Sequence, residues 1–180
     1  MMKKSFALLG AISFAVLSAG LFASCSSSSS GGGKSLAEKC AGGVTDECLE
    51  SATWSMDAFY LTSDGVTFTV AHKLSTPTTI EFKSDKKDGK TFELKYSSDA
   101  AINGNNDGLG GEESGSWSIE GNVLTMNFKF GDILGSNFET VQTALTLVAL
   151  DSATTAINFG ANSIHKTGFP GYEIFTGIEK

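Results

Sequence analysis

The chain has no arginine; all 13 of its basic residues are lysines. Without a guanidinium there is no planar fork to clamp a carboxylate or phosphate in two places. Twenty acidic residues set the net charge at −7. A nucleic-acid binder needs concentrated positive charge to neutralise phosphates, so that class is excluded. Histidine is limited to His72 and His165, far apart and beside expected loops. Neither belongs to a metal-spaced pair, and both are expected to be exposed or partly exposed. No Gly-x-Ser-x-Gly elbow occurs. The adjacent carboxylates Asp46/Glu47 and Glu112/Glu113 should diverge on a strand or loop, and they read as solvated charge. Nothing here assembles a nucleophile, a base or a metal, so a non-catalytic protein without a cofactor is expected. There are only two prolines against 21 glycines, which points to many turns.

One long apolar run is present, and it opens the chain. Lys3 and Lys4 precede an apolar stretch from Phe6 to Leu17, interrupted only by Gly10 and Ser13. The run is too short for a permanent transmembrane helix and has the plan of an export signal. Leu21-Phe-Ala-Ser-Cys25 follows, then five serines and three glycines. This resembles the lipobox of bacterial lipoproteins, with Phe22 where leucine is usual. The resemblance implies cleavage before Cys25, lipidation of that cysteine (palmitate), a membrane anchor, and sorting to the cell outer membrane, since Ser26 and not an acidic residue stands next to Cys25. The competing reading is a conventional cut after Gly20, which releases a periplasmic or secreted protein. Residues 1–24 are then a signal, and 25–33 a lipidated cysteine with a flexible Ser/Gly tether. Removing Lys3 and Lys4 leaves 11 of the 13 lysines against 20 acids, a net of −9.

With Cys25 set aside, Cys40 and Cys48 remain as an even pair in an exported chain. A disulfide closing this short loop is expected, contributing about 2–3 kcal/mol; the alternative is two free thiols. It would tie a lead-in, residues 34–52, whose Ser35-Leu-Ala-Glu and Thr45-Asp-Glu stretches each open one helical turn.

From Thr53 the apolar period becomes two. Trp54, Met56, Ala58 and Tyr60 are expected on one strand face. Further strands are expected at Val66–Val70, Thr79–Lys83 and Thr91–Tyr96. Gly115–Phe130 reads as a hairpin turning at Glu120-Gly-Asn122. Val141–Leu150 is expected to be more buried than half-exposed. Ala153–Phe159 and Tyr172–Ile178 complete eight or nine strands, with Tyr172, Ile174, Thr176 and Ile178 on the apolar phase of the last. Residues 53–180 are therefore expected to form one all-β antiparallel barrel, with a β-sandwich as the alternative.

Trp54, the Gly115-Ser-Trp-Ser-Ile-Glu-Gly-Asn-Val-Leu-Thr-Met126 hairpin, the Thr143-to-Asp151 strand and Tyr172-Glu-Ile-Phe-Thr176 resemble bacterial lipocalin-like domains. The resemblance spans about Cys48 to Lys180. It departs from the fuller pattern at Thr53-Trp54, where Gly-x-Trp is usual, and in the missing arginine. It implies a barrel that binds a small apolar or amphipathic ligand, with Trp54, Phe92 and Trp117 as lining residues. The other reading of the same strand-phase aromatics is a filled core. Such a module would act through its loops, 97–114 and 131–140, on an envelope protein or a polysaccharide. A monomer is expected. Two weaker motifs remain. Asn103, Asn105 and Asp107 follow the first half of a calcium loop, but Ser114 stands where the bidentate glutamate is required. Gly89-Lys90-Thr91 echoes a phosphate loop and reads as a turn, because a strand follows it.

Overall fold

A computed structural model describes residues 33–97, 111–129, 140–151, 153–165 and 171–180. Two short helices lead in, α1 (Leu36–Cys40) and α2 (Asp46–Glu50). Both are too short to persist alone and are fixed by their caps. Ser35 and Glu38 form a reciprocal capping box on α1, and the Thr45 hydroxyl accepts the Cys48 amide on α2. The expected disulfide joins Cys40 to Cys48. Leu36, Cys40, Val44, Cys48 and Leu49 are all buried in the main apolar cluster. The lead-in is thus part of the core.

Among the described residues nine strands follow: β1 (Ala52–Leu61), β2 (Thr69–Asp85), β3 (Gly89–Lys95), β4 (Glu112–Glu120), β5 (Val123–Phe128), β6 (Thr140–Ala144), β7 (Thr146–Ala149), β8 (Thr155–Ala161) and β9 (Tyr172–Glu179). They form one antiparallel sheet in the order β6-β5-β4-β3-β2-β1-β9-β8-β7. The all-β antiparallel class read from the strand periods is observed. The edge strands β6 and β7 are separated by Leu145 alone, so both edges of the sheet lie on one stretch of chain. The Thr143 hydroxyl on β6 donates to the Phe159 carbonyl on β8. Among the described residues, no backbone ladder joins the two edges directly.

Several local expectations are corrected. The β1 ladders shift register between Met56 and Ala58, and this moves Ala58 and Tyr60 off the core face. Phe59 takes the inward place, while Ala58 and Tyr60 join a second cluster with Ala156 and Ile174. A single-residue slip flips every later side chain, which is why strict alternation misassigned these two. The strands expected at 66–70 and 79–83 are not separate: β2 runs unbroken from Thr69. Val66 and Phe68 lie in the connection before it, where the Asp64 carboxylate accepts the amides of Val66 and Thr67. Leu74–Pro77 stand opposite Asp57 alone, between the pairs Met56↔Thr78 and Ala58↔Lys73. Pro77 has no amide to give the ladder, so an irregularity suits it there. Residues 141–145 alternate between buried and exposed, the strand breaks at Leu145, and none of residues 146–150 is buried. On β9 the core-facing set is Glu173 and Phe175, while Tyr172 and Ile174 pack into the second cluster.

Candidate functional site

The interior has two unlike ends. At the lead-in end it is aromatic and closed. Trp54 is fully buried, and its indole Nε1 donates to the Leu49 carbonyl of α2 at 2.8 Å. Trp117 packs edge-on to Phe82, and its Nε1 donates to the Lys83 carbonyl. The Lys90 ammonium sits 4.8 Å from the centre of the Trp117 ring and also pairs with Asp46 of α2. Phe92 packs edge-on to Phe128. The three residues expected to line a ligand therefore belong to one buried cluster, each held by protein neighbours. The Lys90 contacts also show that the Gly89-Lys90-Thr91 stretch is a strand start that braces the lead-in.

The opposite end is polar. Phe59 lies near the end of β1, Tyr96 follows β3, and Glu113 and Glu173 are each the second residue of their strands. His165 follows β8, and its ring is edge-on to both Phe59 and Tyr96, with centroids 5.3 Å away in each case. Its Nδ1 lies 3.1 Å from Glu173 Oε1 and its Nε2 lies 3.0 Å from the Thr78 hydroxyl. That hydroxyl also accepts the Ser97 amide. Glu173 collects three consecutive amides as well, from Ser163, Ile164 and His165. A neutral imidazole protonated at Nδ1 satisfies every contact, with Thr78 donating to Nε2. The Tyr96 hydroxyl donates to Glu113 at 3.4 Å. Burial, followed by the Glu113 and Glu173 charges, pushes the Tyr96 phenol far above the ordinary tyrosine range.

Two expectations fail here. His165 is fully buried, whereas exposure was expected. Glu113 is 7% exposed, whereas it was read as solvated beside Glu112. Both errors have one cause. Polar residues turned inward at a strand end, as Glu113 is, or just past one, as His165 is, are held by partners distant in the chain, and sequence spacing does not display them. The detectable signal was Glu173, a carboxylate between apolar neighbours on a strongly apolar strand.

The order hydroxyl, imidazole, carboxylate in Thr78–His165–Glu173 has the connectivity of a hydrolytic triad. Thr78 is fully buried and its oxygen already accepts an amide, so no substrate carbonyl reaches it. Among the described residues, no group of three or more His, Cys, Asp or Glu is placed to hold a metal. The calcium candidates Asn103, Asn105 and Asp107 lie outside the described residues.

The family model of a lipocalin-like domain matches residues 51–149. The chain belongs to the lipocalin-like family. The match runs from the start of β1 to the end of β7. The disulfide-tied lead-in, β8 and β9 lie beyond it, although β9 pairs with β1 and β8 with β7 in the same sheet. No curated protein and no solved structure matches the chain.

Proposed function

We propose that this protein is an exported, lipid-anchored member of the family that binds one small apolar or amphipathic molecule inside its sheet, without catalysis. The reading rests on the interior itself: an aromatic body with a few converging polar groups at one end, which suits a molecule with an apolar body and a polar head. Family membership supports the same class of ligand. The aromatic side chains Trp54, Phe92 and Trp117 would line the body of the site, and the Tyr96/Glu113 end would meet the head. Titration of the full chain with a panel of lipophilic fluorophores tests this. Quenching of tryptophan emission by at least one is expected, and silence across the panel would sink the idea.

The anchor is argued from the Leu21–Gly33 stretch. Labelling with a radioactive fatty acid should mark the wild type and leave Cys25→Ala unmarked and released from membranes. An unlabelled wild type would remove the anchor and favour the cut after Gly20. In either case the protein is proposed to act as a monomer.

One observation favours a second reading. Trp54, Phe92 and Trp117 are at most 3% exposed, each against its own protein neighbours. A filled interior would make the protein an envelope interaction module, meeting a protein or polysaccharide through residues 97–114 and 131–140. The internal volume separates the two: a cavity of several hundred Å³, roughly 300 or more, favours the ligand.

A further inference from the structure

The segment Asn162–His165 leaves the sheet in order to enter its interior. The β8–β9 ladder shifts register between Asn158 and Ala161. Gly160 adopts φ +89, and Asn162 adopts φ +52. The left-handed region disfavours side chains, and asparagine is among the few residues that tolerate it. These turns carry Ile164 and His165 inward until they are 1% and 0% exposed. Ile164 joins the main apolar cluster, and the imidazole fills the slot between the Phe59 and Tyr96 rings.

The attachments inside are largely polar. The Glu173 carboxylate takes three amides and Nδ1 from this one segment, and Thr78 takes Nε2. Ser163 adds hydroxyl contacts to Thr143 on β6 and to the Phe159 carbonyl. An apolar plug would close the same space with less desolvation. A polar plug differs in one respect: when it withdraws, water or a ligand head group can satisfy each group it leaves behind.

We propose that Asn162–His165 is a latch that occupies the polar end of the interior and withdraws when a ligand enters from that end. This rests on the ligand-binding reading above. Glu173 is the catch: its single carboxylate holds the backbone and the imidazole together, so the segment is released as a unit. His165 is the bolt, because its ring takes the place that a ligand head would need beside Tyr96. The closed state is the one in which the interior holds no ligand.

Two variants of the full chain test the latch, with N-phenyl-1-naphthylamine as the probe and stopped-flow fluorescence as the readout. In T143C/S163C the replaced hydroxyl oxygens stand 3.3 Å apart, so a disulfide there pins the segment to β6. Uptake by the oxidised variant should be about tenfold slower than by the same protein after reduction, with wild type under the same reductant as the control. Glu173→Gln should take up the dye about tenfold faster, since it weakens charge-assisted bonds. The amides of residues 163–165 should also exchange hydrogen faster in this variant. If Glu173→Gln does not fold, the pinned variant carries the test alone. Equal uptake by the pinned and reduced forms overturns the latch and leaves the ligand reading standing. No uptake of this dye by the wild type overturns the latch, and the ligand reading falls with it where the whole lipophilic panel is silent too.

Discussion

A Cβ built at Gly115 would lie 1.9 Å from the Asn127 carbonyl oxygen and 2.9 Å from the Phe92 ring. The glycine lets β5 backbone and an aromatic ring approach β4 more closely than any side chain permits. Gly115→Ala should therefore destabilise the fold by about 2–3 kcal/mol, read as a lower urea midpoint at unchanged slope. Tyr96 makes a different kind of prediction. Its phenol is held above the ordinary range by burial first and by the Glu113 and Glu173 charges second. A group whose pKa is raised in the fold contributes stability that is complete below its unfolded pKa, about 10 for tyrosine, and is lost as the pH climbs above it. Absorbance at 295 nm should show fewer than three phenolates while the protein stays folded above pH ~10, with the remainder appearing on unfolding. All three tyrosines ionising together at pH ~10 in the folded protein would contradict the burial of Tyr96.

The disulfide-tied lead-in is the element whose energetics are easiest to isolate. Leu36 and Trp54 both pack against Gly177, Leu36 so closely that a Cβ on Gly177 would meet its Cδ2 at 2.4 Å. The Leu49 carbonyl takes the Trp54 indole proton. Replacing Cys40 and Cys48 together by serine removes the loop closure and buries two hydroxyls in an apolar cluster. A loss of at least about 2–3 kcal/mol is expected in chemical denaturation, with tryptophan emission of the partly unfolded form shifted to the red. This element was legible in the sequence, because its caps, its cysteine pair and its helical turns are all local signals. The hairpin β4–β5 was legible for the same reason. β1 was not. Its alternation is intact up to Met56, and only the partner strands show the slip that moves Ala58 and Tyr60 into the second buried cluster. The polar end was hidden more deeply: His165, Thr78, Glu113 and Glu173 come from four separate stretches, and only the tertiary fold brings them together.

At the scale of the molecule, the residues that carry the family signature are fewer than those that make the fold. Residues 51–149 match the family, yet β1 has β9 as one of its two neighbours, and β7 pairs only with β8 among the described strands. Cutting at 149 removes both partners and strips β1 and β7 of their ladders on those sides. The exposed edge of the ten-residue β1 would then be long and partly apolar, the condition that favours association between chains. The same cut removes Phe159, Phe175 and Ile164 from the core, and starting at 51 removes Leu36, Cys40, Val44, Cys48 and Leu49. A chain of residues 33–180 should therefore unfold in one cooperative transition and show sharp near-ultraviolet dichroism from Trp54 and Trp117. A chain of residues 51–149 should show neither and should aggregate. Cooperative unfolding of the shorter chain would mean that β1–β7 form a complete core by themselves, and that the lead-in, β8 and β9 are additions to a fold that does not depend on them.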